Sequence, residues 1–310
     1  METLIRTART TTLTLLGSGA LALTMMVSPA GAAPGNGNGA GQDQAVAKHA
    51  AATTKAQQQS VREYWTPERM QDATPRELKG PGANKGKPGG GNTKNAGKAV
   101  RSTPQPELGK VFFTLGGIDY VCSGTAITST NRDVVTTAGH CLNEGPGRYA
   151  TNFAFVPAYD NGSRPYGTWV AENLYAPSAW VNSGDFNHDV GFAVMAEQGG
   201  QSLTDVTGSY PIGFNKGYGL TFEAFGYPAD TPYDGQELWK CSGVAGQDSR
   251  GTTDHRLPCS MTGGSSGGGW ITGGTLNSVN SFGYKGEKDV MYGPYFGDVA
   301  QSVFSTAANS

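Results

Sequence analysis

Short apolar segments separated by Gly, Pro and Asn fill the chain from about residue 108 onward, and this pattern constrains the fold more than any other feature. Such segments recur about every ten to twenty residues, at 111–115, 118–122, 125–127, 134–137, 153–156, 190–194, 220–225, 237–241 and 269–271. Regularly spaced short runs with turn residues between them are typical of all-β proteins. The 47 glycines of the chain also disfavour a helical bundle. The sequence therefore predicts an all-β fold.

The last apolar segment is an exception, because its spacing is helical. Val299, Val303 and Phe304 would share one face of a helix, and Asp298 can cap the first turn. A short C-terminal helix is therefore predicted at about 298–307.

The net charge of −2 hides an uneven distribution. Residues 1–100 carry 12 basic and 6 acidic side chains, whereas residues 101–310 carry 11 basic and 19 acidic ones. Binding to nucleic acid depends on clustered Lys and Arg that attract phosphates. The β-rich part is acidic, so no nucleic-acid partner is expected for it.

The first 30 residues have the three parts of a secretory signal peptide. Arg6 and Arg9 precede an apolar stretch at 13–27, and small residues follow from Ser28 to Ala33. A membrane anchor is the alternative, but the stretch holds 15 residues interrupted by Thr, Gly and Ser, and a bilayer span takes about 20 apolar ones. We therefore expect residues 1–30 to be removed and the protein to be secreted to the extracellular space, with no membrane partner.

Residues 31–105, here called the leader, are rich in Gly, Asn, Ala, Gln and Lys. The run at 80–91 offers almost nothing to bury, so the leader is predicted to be disordered. A helix start is visible at Tyr64–Met70, where Thr66 can cap the helix and Pro67 suits its first turn. The leader is interpreted as a propeptide removed after export, with a flexible linker or a surface-binding tail as alternatives.

All four cysteines lie in the β-rich part, at positions 122, 141, 241 and 259. An even number of cysteines behind a signal peptide predicts disulfides, with three possible pairings. Pairing Cys122 with Cys141, and Cys241 with Cys259, would close one loop in each half. A zinc site is the alternative, but no Cys-x-x-Cys or paired His spacing supports it. No metal or other cofactor is therefore expected.

Three parts of the sequence together can carry acyl-transfer chemistry. His140 follows a predicted strand and precedes a cysteine, which would fix the imidazole. Asp189 stands at the start of the strand at 190–194, where its carboxylate can be buried and still meet an imidazole N–H. Ser265 and Ser266 lie among glycines, in a turn whose backbone amides can converge beside a hydroxyl and stabilise an oxyanion.

Each of these features also has an ordinary interpretation. A lone histidine is usually structural, a Gly/Ser cluster is often a loop, and an Asp before a strand is often a turn residue. No Lys follows the glycine run, which argues against a phosphate-binding loop. Asp185 competes with Asp189 for the role of the carboxylate, and His188 and His255 are expected to be structural. The three features in one chain are far more specific than any one of them.

Thr136–Cys141 and Gly264–Gly268 resemble the histidine and serine motifs of the trypsin-like, chymotrypsin-fold serine endopeptidases. The order His, Asp, Ser along the chain is also the order in chymotrypsin. The signal peptide, Tyr64–Met70 and Gly293–Asp298 resemble secreted actinobacterial members of that family. The resemblance implies two antiparallel β-barrels with the active site in the cleft between them. The implied bounds are 106–310 for the protease domain, about 108–200 for the first barrel and about 201–295 for the second.

The resemblance also implies a role for each site residue. Ser266 would be the nucleophile, because the family motif places two glycines directly after it. His140 would be its general base, and Asp189 would orient the imidazole. The backbone amides of Gly264 and Ser266 would form the oxyanion hole. A bridge between the first two cysteines is a further feature of the family.

Two departures from the family pattern bear on activation and specificity. Ser265 stands where the family commonly has an Asp that pairs with a new N-terminus, so removal of residues 31–100 is expected to relieve occlusion instead. Ser260 stands six residues before the nucleophile, where trypsins have Asp, and Asn280 stands where glutamyl endopeptidases have His. Both residues predict an uncharged pocket. An extended substrate is expected to hydrogen bond with the segment Ser281, Phe282 and Gly283.

The sequence thus predicts a secreted serine endopeptidase that cuts peptide bonds through an acyl-enzyme. It would act on protein or peptide substrates as a monomer and bind its own propeptide before processing. Glutamyl endopeptidase-type specificity is one alternative. A catalytically inactive, protease-like secreted binding protein is another. An esterase is less favoured, because the three residues occur in the order His, Asp, Ser along the chain and not in the order Ser, Asp, His.

Overall fold

A six-stranded β-barrel and a second β-rich half form the body of the described chain, and part of the leader folds against the barrel. The computed structural model describes residues 45–76, 80 and 97–310. The predicted signal peptide and leader residues 31–44, 77–79 and 81–96 lie outside the described residues. Within the described part, no helix is both long and apolar enough to cross a bilayer.

The secondary structure is dominated by strands. In chain order the described strands are β1 (Val46–Ala50), β2 (Thr74–Pro75), β3 (Val100–Arg101), β4 (Leu108–Leu115), β5 (Ile118–Ile127), β6 (Val134–Thr137), β7 (Thr151–Pro157), β8 (Trp169–Pro177), β9 (Gly191–Met195), β10 (Thr221–Gly226), β11 (Trp239–Val244), β12 (Gly246–Gln247), β13 (His255–Pro258), β14 (Gly269–Thr272), β15 (Thr275–Val279) and β16 (Val290–Gly293). The described α-helices are α1 (Lys55–Tyr64), α2 (Pro67–Asp72), α3 (Ser178–Ser183), α4 (Leu203–Thr207) and α5 (Asp298–Ala308).

The first half is a closed barrel with the hydrogen-bonded order β8-β7-β4-β5-β6-β9, in which β9 returns to β8. It begins with the hairpin of β4 and β5, where Leu115 pairs with Ile118 across Gly116 and Gly117. These glycines have φ values of 62° and 85°, the left-handed geometry that a two-residue hairpin turn requires. The Gly-Gly pair between the apolar segments at 111–115 and 118–122 therefore forms the turn of this hairpin.

The second half holds two smaller sheets that share one core. One sheet has the order β15-β14-β10-β11-β3 and the other β12-β13-β16. Phe222 and Trp270 of the first sheet pack with Leu257 and Met291 of the second. The predicted all-β fold is confirmed. The first of the two expected barrels is closed, whereas the strands of the second half form two sheets.

The C-terminal helix α5 lies where the sequence predicts it. Its buried residues Ala300 and Val303 belong to the main hydrophobic core. The expected cap is wrong, because the N-cap residue is Gly297 and Asp298 already lies in the first turn. Asp298 Oδ1 instead accepts a hydrogen bond from Asn215 Nδ2 at 2.7 Å, and its charge still favours the N-terminal end of the helix.

The prediction of disorder is wrong for the front part of the leader, defined here as residues 45–76 and 80. Strand β1 pairs antiparallel with β8. Trp65 is only 1% exposed, and its Nε1 donates to Asn152 O at 2.6 Å. Met70 is buried as well. These few anchors gain their stability by burial against the barrel, which the composition of the leader does not reveal.

The helix start expected in the leader is confirmed. Helix α2 begins at Pro67, and Thr66 Oγ1 accepts a hydrogen bond from Arg69 N at 3.3 Å. Helix α1 has a capping box as well, formed by Thr54 and Gln57. Side-chain caps satisfy amides that the first helical turn leaves free, so both helices are consistent with their local sequence.

The rear part of the leader, residues 97–105, also pairs with the body, so the prediction of disorder is wrong here too. Strand β3 lies beside β11, and Ser102 N donates to Leu238 O at 2.8 Å. Gly97 O accepts a hydrogen bond from Ser260 N at 2.6 Å. The two folded parts of the leader therefore contact the body on both sides of the stretch 81–96.

Each half of the body contains one disulfide. Cys122 is bonded to Cys141, and Cys241 to Cys259. This is the sequential pairing among the three that the sequence left open. No free cysteine is found in the described residues. The zinc alternative therefore has no thiolate there to build on.

Candidate active site

A histidine and an aspartate from different loops of the barrel meet in a buried pair. His140 lies in the 3₁₀ turn Gly139–Cys141 that follows β6, and Asp189 lies between the 3₁₀ turn Phe186–His188 and β9. His140 Nδ1 faces Asp189 Oδ2 at 2.8 Å, and the backbone N–H of His140 donates to Asp189 Oδ1 at 2.7 Å. Neither side chain is exposed. The double contact fixes the direction of the imidazole.

Asp189 has a third partner that sequence analysis missed. The hydroxyl of Ser281 donates to Asp189 Oδ2. A buried carboxylate needs such hydrogen bonds to offset its loss of hydration. Ser281 is 92 residues from Asp189 in sequence, and no local pattern signals the contact.

Asp185, the competing carboxylate, has different partners. Its Oδ2 lies 2.9 Å from His188 Nδ1, and its Oδ1 accepts a hydrogen bond from Asn187 N. Partial burial acts to raise the pKa of Asp185, but the hydrogen bonds from Asn187 and His188 outweigh it and lower the pKa. The structure therefore brings Asp189, and not Asp185, to His140.

His255 lies away from this pair. It is buried in β13 beside the aromatic rings of Phe222 and Tyr218. Burial lowers the pKa of His255 to about 4. It therefore packs as a neutral side chain in the second half.

The glycine-rich turn holds two serines in different environments. Ser265 is fully buried, and its hydroxyl donates to Thr262 O at 2.7 Å. Ser266 lies next to it, and Ser266 O accepts a hydrogen bond from Ser123 N at 2.7 Å. Gly267 has a φ of 80°, and a Cβ there would overlap Thr137 Oγ1. This position therefore requires glycine on both conformational and steric grounds.

The amides at the two predicted oxyanion positions differ from the amide between them. No described residue accepts a hydrogen bond from the N–H of Gly264 or Ser266, whereas the amide between them, that of Ser265, donates to Thr262 O at 3.2 Å. Gly264 has a φ of 92°, a conformation that glycine adopts readily. Two unpaired N–H groups beside one hydroxyl are the arrangement that stabilises a developing oxyanion.

Ser266 and His140 are not hydrogen bonded to each other. Ser266 Oγ instead donates to the carbonyl oxygen of Arg76, in the leader, at 3.2 Å. His140 Nε2 has no hydrogen-bond partner among the described residues. The leader thus contacts the serine directly.

A cavity of about 640 Å³ opens beside Ser266. Its walls include Ser260–Gly263, the segment Ser281–Gly283 with Phe282, and residues 230–233. Ser260 therefore lies at the cavity, as expected, and its Oγ accepts a hydrogen bond from Ala99 N at 2.9 Å. The cavity lining also includes charged residues, namely Lys98, Asp230, Glu287, Lys288 and Asp289.

Asn280 does not reach this cavity. It is fully buried, and its Nδ2 donates to Phe225 O at 2.7 Å and to Ser265 O at 2.9 Å. Its Oδ1 accepts a hydrogen bond from Trp270 Nε1 at 2.7 Å. Asn280 therefore supports the glycine-rich turn from behind instead of lining the pocket.

A buried lysine ties one cavity wall to the barrel. Lys110, in β4, is only 2% exposed, and its Nζ donates to Gly235 O at 2.8 Å. Gly235 belongs to the loop that continues from cavity residues 230–233. Burial lowers the pKa of Lys110 to about 7, although the nearby charge of Asp234 acts to raise it.

No family model matches the chain. The extracellular metalloprotease of Bacillus subtilis (strain 168) is a curated relative, 27% identical over 119 residues, which are 37% of this chain and 35% of the relative. The chain thus spans about a third of the length of that relative.

Solved structures match far more of the chain. Protease Anisep from Arthrobacter nicotinovorans is 52% identical, with a TM-score of 0.67, over 68% of this chain and 100% of that one. The thermostable serine protease AL20 from an extremophilic microorganism is 46% identical, with a TM-score of 0.65, over 66% and 98%. A Glu endopeptidase is 19% identical, with a TM-score of 0.57, over 70% and 99%, and shares the fold. The chain belongs to the serine proteases of the chymotrypsin fold.

Proposed function

We propose that the protein is a secreted serine endopeptidase in which Ser266 is the nucleophile, His140 the general base and Asp189 the group that orients the imidazole. The observation that carries this proposal is the buried double contact of His140 with Asp189. Cys141, next to His140, has its Sγ 3.9 Å from Ser266 O. The amides of Gly264 and Ser266 have no acceptor among the described residues, which supports a role as the oxyanion hole.

In the first half of the reaction, Ser266 Oγ attacks the carbonyl carbon of the scissile peptide bond. His140 Nε2 takes the hydroxyl proton, and the resulting imidazolium is stabilised by Asp189 through its Nδ1–H. The oxyanion lies between the amides of Gly264 and Ser266. The intermediate collapses when His140 returns the proton to the departing amine, which leaves an acyl-enzyme.

In the second half, a water molecule takes the place of the amine. His140 accepts a proton from this water as it attacks the acyl carbon, and the same amides hold the second oxyanion. Return of the proton to Ser266 Oγ releases the carboxylic acid and restores the enzyme. The hydroxyl of Ser281 keeps the carboxylate of Asp189 in place throughout.

The cavity beside Ser266 is proposed to bind the substrate side chain that precedes the scissile bond. The wall segment Ser260–Gly263 carries no charge, which supports a preference for small or medium uncharged side chains. The segment Ser281–Gly283 would hydrogen bond the backbone of an extended substrate. Asn280 is not included, because its amide is bonded within the protein.

The wider setting is also proposed from the sequence. Residues 1–30 would direct export, the leader would remain bound until processing, and the processed enzyme would act as a monomer on extracellular proteins or peptides. The two disulfides support an oxidising compartment.

The test is reaction of the processed protein with a fluorophosphonate, followed by mass spectrometry of the labelled peptide and hydrolysis of a protein substrate. Label on Ser266 is expected. Ser266→Ala should abolish labelling and lower turnover by about 10⁴–10⁶-fold.

Ser265→Ala is the matched control, because its hydroxyl is turned to Thr262 O. It should keep both labelling and most of the turnover. Full hydrolysis by the Ser266→Ala variant would contradict the proposal, and a folded parent that neither labels nor hydrolyses would support an inactive binding protein.

A further inference from the structure

The leader contacts the body on one flank of Ser266 through β2. This strand runs parallel to β5, with Pro75 opposite Val121, and Arg76 N donates to Val121 O at 3.1 Å. Strand β5 borders Ser266, because Ser123 N donates to Ser266 O. No described residue of β5 lines the cavity. Arg76 therefore lies on the flank of Ser266 away from the cavity.

The leader contacts the other flank through Gly80. Gly80 N donates to Gly283 O at 3.2 Å, and a Cβ at Gly80 would overlap the Phe282 ring. Phe282 and Gly283 both line the cavity. Gly80 therefore lies on the cavity side, so the chain passes from the β5 flank at residue 76 to the cavity flank at residue 80.

A productive substrate must run the other way. Under the proposed function, the residue that precedes the scissile bond fills the cavity, and the departing amine lies on the opposite flank of Ser266. The substrate chain then runs from the cavity flank to the β5 flank. The leader occupies the same two flanks in the reverse direction.

The leader also engages the reacting atoms. Ser266 Oγ–H is directed to Arg76 O, while His140 Nε2 has no partner in the described residues. A general base must be within hydrogen-bond reach of the proton that it abstracts. The contact with Arg76 thus directs the hydroxyl proton of Ser266 to the leader instead of to His140.

We propose that Thr74–Arg76 and Gly80, here called the blocking residues, hold the enzyme inactive by crossing the substrate cleft in the reverse direction, with Arg76 O bound to Ser266. This inference rests on the proposed function. Reverse binding explains how a peptide can lie on an active serine without being cut. The charge of the leader supports docking, since residues 31–100 carry 10 basic and 5 acidic groups against an acidic body.

The first experiment compares fluorophosphonate labelling of the uncut chain with that of the separated body. A recognition site for a specific protease is inserted between residues 85 and 94, the chain is cut there, and the front part is removed under mild denaturant. A cleft that is open in about 1% of molecules would label about 100-fold more slowly than a free one. Equal rates for the uncut chain and the body would overturn the inference, whereas a folded body that does not label would overturn the proposed function.

The second experiment uses two variants of the uncut chain. Gly80→Leu should clash with Phe282 and raise the labelling rate at least tenfold, and the variant leader should still co-elute with the body after the cut, because Trp65 keeps it docked. Gln71→Leu, at an exposed residue of α2, is the control and should label at the parent rate. Unchanged labelling of a docked Gly80→Leu variant would contradict the role of the blocking residues.

Direction is tested by mass spectrometry of the uncut chain after long incubation. Reverse binding predicts that the bonds on either side of Arg76 stay intact while an added protein substrate is cut by the separated body. A cut between Pro75 and Arg76, or directly after Arg76, would show a productive orientation and overturn the reverse one.

Discussion

Substitution of Lys110 by Met tests how the protein stabilises the wall of its cavity. The ammonium of Lys110 is buried beside the rings of Phe112 and Tyr159, at 5.0 and 4.7 Å from their centroids. It donates to Gly235 O across the boundary of the two halves. Met has nearly the same length and no charge, so the substitution removes the titration of this site and changes little else in the packing.

The magnitude follows from the lowered pKa. Folding lowers the pKa of Lys110 from 10.5 to about 7, and each pKa unit is worth about 1.36 kcal/mol. Below pH 7 the lysine is charged in both states, so its burial penalty is fully present. Between pH 7 and about 10 only the unfolded state keeps the proton, so this penalty shrinks as pH rises. The stability of the parent should therefore gain about 4 kcal/mol from Lys110 between pH 6 and pH 10.

The assay is urea unfolding from pH 6 to pH 10 with Ser266→Ala as the parent, so that the protein does not digest itself. Met cannot donate to Gly235 O, which costs about 1–3 kcal/mol at every pH. Lys110→Met should thus be more stable than the parent at pH 6 and less stable at pH 10. Lys285→Met, at an exposed lysine, is the control and should shift stability by less than about 0.5 kcal/mol across this range. A difference between Lys110→Met and the parent that does not vary with pH would refute the reasoning.

Two further substitutions test the site. Ser281→Ala removes the hydroxyl that donates to Asp189. Loss of this hydrogen bond should raise the activation barrier by about 1–1.5 kcal/mol and lower kcat of the processed enzyme on a small ester about tenfold. A change in kcat of less than twofold would contradict the positioning role. Gly267→Ala, made in the Ser266→Ala background, forces a Cβ onto Thr137 Oγ1 at a φ of 80° and should lower the free energy of unfolding by at least about 2 kcal/mol. A Tm within about 1 °C of the Ser266→Ala parent would contradict this prediction.

Features that depend on neighbours in sequence could be predicted. The hairpin at Gly116 and Gly117 and the helix start at Thr66 follow from local backbone and capping chemistry. Strand spacing also indicated the all-β class. These signals need no knowledge of what packs against the segment.

Features that depend on distant contacts could not be predicted. The bond from Ser281 to Asp189 joins two separate loops, and the buried amide of Asn280 is held by Trp270 and Phe225. A resemblance aligns positions along a chain but does not show where each side chain points. Likewise, the front part of the leader is folded because Trp65 is buried against the barrel.

The leader is docked on both sides of the stretch 81–96, at Gly80 and at Gly97. A single cut within that stretch would leave every one of these contacts in place. The cut changes the effective concentration of the front part of the leader at the cleft. A short covalent connection keeps this concentration at about millimolar. After the cut it equals the concentration of the released fragment in the medium. Dissociation and dilution of the fragment would then decide when the enzyme becomes active. Activation would be faster in a dilute medium than in one where the fragment accumulates.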